Sequence, residues 1–212
     1  MNEIVLIGGG EHATVIVSIL KKIDKYNIVG YTDIVKKGSI LGINYLGDDG
    51  ILETLINKYK SCSAVIGIGI ITLSHIDKRI IIQKKLGSLG YHLPVIISPH
   101  AVINENVELG EGTVIFDNAV IITGTKVGEN AIINTNSTID HDCRIGNHVH
   151  VAPGVTLSGR VVVGHKSFIG AGATLIHNIS IGENCIIGAG AVVTEDCLKP
   201  GTYIGVPAKL IE

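Results

Sequence analysis

The sequence predicts a small parallel α/β unit over residues 1–96, followed by a β-solenoid over residues 97–212. Three observations predict it. Short apolar runs alternate with amphipathic stretches in the first half. A glycine-rich turn, "GGGEHA", joins the first run to the first amphipathic stretch. From Ile97 onward the period changes to six: every sixth residue up to Val193, seventeen positions in all, is Ile, Leu or Val.

In chain order, "EIVLIG" reads as a strand and "HATVIVSILKKI" has helical spacing. "NIVGYTD" reads as a second strand. "DDGILETLINKY" reads as a helix whose leading acids suit the macrodipole. "SAVIGIG" is a third strand, "SHIDKRIIIQKKLGSLG" a helix ending in glycine, and "HLPVII" a fourth strand. This βαβαβαβ order calls for a parallel sheet covered by helices. In the second half, a small residue usually stands four places after each aliphatic, as at Thr113, Ala119, Ala131, Cys143 and Cys185. Neither a helix nor an alternating strand has a period of six. Stacked coils do, each hexad giving one short strand and one corner, with the aliphatics forming a continuous core.

Composition removes several function classes. The formal net charge is −2, Lys and Arg are scattered, and there are no Trp and two Phe, so neither a basic field nor a stacking platform for nucleic acid is expected. No apolar run reaches the roughly 20 residues a membrane span needs. The start "MNEIVLIGGG" lacks the features of a secretory signal. Cys62, Cys143, Cys185 and Cys197 have no CxxC spacing and are expected reduced and buried in a cytoplasmic protein.

The hexad ladder and the ending "YIGVPAKLI" resemble the hexapeptide-repeat acyltransferases. The resemblance implies a left-handed parallel β-helix with three hexads to a triangular coil, so that every third hexad returns to the same corner. A glycine-rich α/β unit, Rossmann-like, before such a helix narrows the resemblance to bacterial sugar acetyltransferases. These act on nucleotide-linked amino sugars or, alternatively, on sialic acid oxygens. The resemblance further implies acetyl-CoA as co-substrate and a homotrimer with active sites at subunit interfaces.

"NTNSTIDHDC" carries the chemistry. His141 stands between Asp140 and Asp142 just past an inward aliphatic, so it should project from a corner. Imidazole is a base suited to neutral pH, with an unperturbed pKa of about 6.5. Either carboxylate could fix its tautomer. One coil later the same corner holds Gly159, whose bare backbone leaves room beside the histidine. The resemblance implies His141 as general base, Asp142 as its orienting acid, and Asn134 as a positioning group. It also implies acetyl-CoA contacts at His150, Gly159, Gly170, Ala171, Gly188 and Ala189. Cys143 falls on the inward phase, so transfer without an acyl-enzyme is expected.

In the first half, Gly8, Gly10, Glu11 and His12 open a helix whose free N–H groups suit a phosphate. Asp33 ends the next strand at the spacing for a ribose hydroxyl, and Gly67, Ile68 and Gly69 form a neighbouring turn. A sugar nucleotide fits better than NAD, because the second half of a dinucleotide fold is missing. Two rival classes stand against the acetyltransferase reading: a zinc enzyme using His141, His148 and His150, and a non-catalytic scaffold. Different hexad phases point those histidines in different directions, and no metal is expected.

Overall fold

The structure is a computed structural model that describes residues 2–59, 61–70 and 72–211. It divides into two compact units, Met1–Pro94 and Val95–Glu212.

The first unit holds a four-stranded parallel sheet, order β3-β2-β1-β4, made of β1 (Asn2–Ile7), β2 (Tyr26–Thr32), β3 (Tyr45–Gly47) and β4 (Ser63–Ile66). Helix α1 (Glu11–Ile23) joins β1 to β2, α2 (Leu52–Lys58) joins β3 to β4, and α3 (Leu73–Ser88) follows β4. Helix α1 buries Ala13, Ile16, Val17, Ile19 and Leu20, the one-sided spacing of an amphipathic helix. A 3-10 turn, Asp49–Ile51, precedes α2, and the Asp48 carboxylate accepts from Gly50 N at 2.8 Å. An acid thus satisfies an orphan amide ahead of α2, a capping role beyond the macrodipole effect expected of these acids.

The predicted fourth strand needs correction. "HLPVII" does not join the α/β sheet: it contributes only a bridge at His92 to Ser63, and Ile96 and Ile97 pair with Val114 and Ile115 in the first solenoid coil. Ile97 starts the hexad ladder, so the coil claims these residues and the unit boundary falls at 94/95. The fourth strand is instead β3, three residues long and on the opposite edge. Its run "YLG" is too short to show periodicity.

The second unit is a left-handed parallel β-helix. Among the described residues, seventeen short strands run from β5 (Ile96–Ile97) to β21 (Val192–Val193). They stack in three parallel sheets with partners three hexads apart, such as Ile133 with Val151 and Ile139 with Leu157. Each strand ends on a ladder aliphatic; Ile121, Ile133, Ile139, Val151, Leu157 and Leu175 are all fully buried. Each such side chain withdrawn from water is worth about 1.5–3 kcal/mol. The small phase is equally buried, and its hydroxyls bridge coils: Thr125 Oγ1 donates to Asp140 O at 2.8 Å and accepts from Cys143 N at 3.1 Å. Strands β22 (Gly201–Ile204) and β23 (Lys209–Ile211) close the end as an antiparallel pair.

The corners obey a second ladder. Every sixth residue from Asn106 to Gly190 has a positive φ, between 51° and 78°. Asn or Gly fills most of these positions and Asp142 fills one, the residue types that tolerate the left-handed region.

Candidate active site

The hexad arithmetic produces three edges. The first edge carries Asn134, Gly170, Ala171, Gly188 and Ala189. The second carries Asp140, His141, Asp142 and Gly159. Face-forming strands separate them, so one chain does not bring Asn134 and His141 together.

On the second edge the two acids have different tasks. Asp140 Oδ1 accepts from His141 N at 2.7 Å, which ties down the turn. Asp142 Oδ2 lies 3.0 Å from His141 Nδ1 and is the carboxylate that meets the ring. Asp142 makes that contact from a left-handed backbone, φ 58°. The ring is directed at Gly159: a Cβ placed there would lie 2.5 Å from His141 Nε2 and 2.7 Å from Cε1. The imidazole therefore occupies the room that a side chain at 159 would take. Stacked N–H groups elsewhere at this phase find side-chain acceptors, as Asn147 N does on His165 Nδ1 at 2.8 Å. Among the described residues none is an acceptor for Gly159 N. The His141 and Asp142 side chains are 44 % and 54 % exposed, so the pair faces outward.

Near the first edge, Asn134 Nδ2 lies 3.2 Å from His150 Nε2, and the His150 ring packs edge-on against Phe168 at 5.0 Å. His150 is buried, which its place in the hexad alone does not suggest. Gly170 and Gly188 spend their N–H groups on the inter-coil ladder, donating to Ile187 O and Tyr203 O. A Cβ at Gly170 would strike the backbone of Ala189 at 2.6 Å, so this glycine is needed for stacking. Ala171 and Ala189 are exposed along the same edge.

Cys143 is fully buried, and its Sγ donates to Ser158 O at 3.3 Å. Burial pushes its thiol up, opposed by backbone hydrogen bonds and assisted by Asp140 and Asp142, so it stays protonated at neutral pH. Among the described residues no cluster of His, Cys, Asp or Glu has the geometry to hold a metal ion.

In the first unit, Gly10 caps α1 with no side chain, and a Cβ there would meet nothing within 4 Å. The first-turn amides of a helix have no intrahelical acceptor, an arrangement that suits an anion. Gly8, with φ 104°, packs on Ile68, and a Cβ at Gly67 would lie 2.8 Å from Ala13 Cβ. A Cβ at Gly69 would lie 3.3 Å from His12 Cβ, while Glu11 is exposed. The structure adds Gly9, whose side-chain space is filled by the Tyr31 ring and which donates to Asp33 Oδ2 at 2.8 Å. Burial raises the Asp33 pKa, but the Gly9 and Val35 amides and Lys37 outweigh it, and the net shift is down. Arg79, fully buried on α3, donates to Ile66 O and Ile68 O at 3.1 and 2.7 Å and so fixes the 66–69 turn. Burial pushes its guanidinium down to about 10, still charged at pH 7.

Comparison with known proteins matches these two units separately. Residues 3–73 match the PglD N-terminal domain, and residues 124–159 and 160–195 match the bacterial transferase hexapeptide (six repeats). The chain is similar to the perosamine N-acetyltransferase of Caulobacter crescentus, solved as its H141N mutant with CoA and GDP-perosamine. They share 34% identity over 100% of this chain and 98% of that one, with a TM-score of 0.93. It is similar to the acetyltransferase domain of PglB from Neisseria gonorrhoeae FA1090, solved with acetyl coenzyme A. There the identity is 30% over the whole of both chains and the TM-score 0.90. WeeI from Acinetobacter baumannii AYE, 23% identical over both full chains with a TM-score of 0.88, shares the fold. The comparison with curated protein sequences gave no match.

Proposed function

The chain belongs to the hexapeptide-repeat sugar acetyltransferases, acetyl-CoA-dependent enzymes, and we propose that it N-acetylates a nucleotide-linked amino sugar with His141 as general base. The observation that carries this reading is the His141–Asp142 pair packed over Gly159, a residue whose N–H no described residue uses.

Acetyl-CoA supplies the activated acetyl group. Asp142 holds the Nδ1–H tautomer, leaving Nε2 to accept the proton of the sugar amine. The Gly159 N–H, which has no acceptor among the described residues, donates to the negative charge that develops on the acetyl oxygen. Cys143, protonated and turned inward, takes no part, so the acetyl group passes directly to the amine. In the first unit, the α1 amides at Gly10, Glu11 and His12 bind the diphosphate, with Asp33 and the 67–69 turn at the nucleoside. The complexes of the Caulobacter relative with CoA and GDP-perosamine support both halves of this assignment.

A trimer suits the separation of the two edges. The face between them presents Val102, Val120, Thr138, Thr156, Thr174 and Val192 outward from its strands, with no charge. The next face round carries Glu108, Lys126 and Arg144, the first two paired at 2.6 Å. Three uncharged faces packed around a threefold axis set the second edge of one protomer against the first edge of the next. Asn134, His150, Ala171 and Ala189 of one copy then flank His141 of another.

The test is thiol release from acetyl-CoA against UDP-, GDP- and dTDP-linked amino sugars and free sialic acid. Turnover with an amino-sugar nucleotide is expected. Turnover with sialic acid alone would replace N- by O-acetylation. H141N is expected to lose about 10²–10⁴-fold in kcat while still binding CoA and the nucleotide sugar, as the H141N form of the relative does. Cys143→Ala should keep turnover within a few-fold, and a dead Cys143→Ala that still folds would point to an acyl-enzyme.

A further inference from the structure

We propose that Gly124 is a positioning residue: its missing side chain is what lets the Asp142 carboxylate reach His141. The proposal rests on the reading of His141 as base and Asp142 as its orienting acid.

Gly124 lies one coil before Asp142 on the same edge. A Cβ built on it would stand 2.5 Å from Asp142 Oδ1 and 3.5 Å from Cγ. The backbone cannot yield, because Asp142 N donates to Thr123 O at 3.1 Å and Arg144 Nη1 donates to Gly124 O at 2.8 Å. The carboxylate can yield. It is half exposed and its Oδ2 has only a 3.0 Å contact with Nδ1 to lose. A side chain at 124 therefore rotates Asp142 into solvent and leaves the coil standing.

Backbone conformation does not require glycine here. Gly124 has φ 78°, but the same corner position is Asn at 106, 118, 130, 136, 178 and 184, with φ between 51° and 62°. Asparagine fits this ladder. The residue is glycine where an acid must lean across it. Gly112 gives a contrast away from the site: a Cβ there would meet Asn130 Oδ1 at 2.6 Å, but Asn130 is fully buried and the residue before it is Glu129, not a histidine.

Four variants test this: G124N, G112N, D142N and the double variant G124N/D142N. G124N should melt no lower than G112N, whose clash falls on a buried side chain, yet lower kcat on the order of tenfold or more, as loss of an orienting partner does. KM for acetyl-CoA should not change. The double variant should be no slower than D142N alone. Ring-nitrogen NMR of labelled histidine, with the His141 signal identified by its loss in H141N, should show Nδ1–H in the wild type and G112N. In G124N and D142N the Nδ1–H preference should be lost. Wild-type kcat and an unchanged tautomer in G124N would overturn the proposal, as would losses that multiply in the double variant. A silent D142N would overturn the orienting role of Asp142 itself, and Gly124 with it. A slow D142N beside a silent G124N would sink only Gly124.

Discussion

The α/β unit and the solenoid solve the problem of placing a functional group in opposite ways. In the solenoid, position follows from counting: three hexads make one coil, so arithmetic alone names a residue's neighbours above and below. In the α/β unit each contact is individual. Gly9 packs under Tyr31, Arg79 reaches two carbonyls of the 66–69 turn, and no interval in the sequence announces either. Periodic structure makes a site readable but rigid in register, whereas irregular structure hides the site and tolerates change around it.

The largest expected effect breaks the register. Deleting Asn147 would turn every later ladder aliphatic out of phase, each forfeiting about 1.5–3 kcal/mol of burial. The solenoid should lose cooperative melting by circular dichroism. Deleting Lys36, on the exposed stretch after β2, should leave a cooperative transition. If both deletions were tolerated alike, the contrast would fail.

A smaller effect separates two adjacent glycines in the α/β unit. Gly9→Ala pushes a methyl into the Tyr31 ring and should cost about 1–3 kcal/mol in chemical denaturation. Gly10→Ala enters open space and should cost less, about 0.5–1 kcal/mol for a poorer N-cap residue. It should nevertheless raise KM for the nucleotide sugar, because the methyl stands on the proposed approach of the diphosphate. Equal stability losses would mean that both glycines serve only the turn.

The smallest effect is electrostatic. The Asp33 carboxyl is held below its ordinary value of 3.8, so the folded unit binds fewer protons there than the unfolded chain. Its contribution is present above about pH 4 and is lost as pH falls through the lowered folded value. Asp33→Asn should flatten that acid limb in pH-dependent melting. An unchanged limb would mean that Gly9, Val35 and Lys37 do not favour the charged form.

What the sequence discloses follows the same division. The ladder from Ile97 to Val193 is legible because period and phase are properties of sequence; the coil length, and with it the stacking of His141 on Gly159, follows from the family resemblance. The left-handed corner ladder is equally present, in the Asn and Gly at every sixth position. It escapes a reading by hydropathy because its residues differ in polarity and are united only by backbone tolerance. That ladder, once seen, singles out Asp142 over Asp140 as the acid at the special position. The strand at Tyr45–Gly47 is invisible because so short a run carries no pattern. "HLPVII" misleads because an apolar run fits either unit, and only the phase of Ile97 decides between them.

In the proposed trimer, the division of polar groups between two edges would leave a solitary protomer chemically mute. Two variants expected to be inactive there, H141N and Asn134→Ala, would then restore each other when co-assembled. Every mixed ring of three has one joint where an intact imidazole meets an intact carboxamide. Diluting the enzyme until its rings come apart would silence it with every chain still folded.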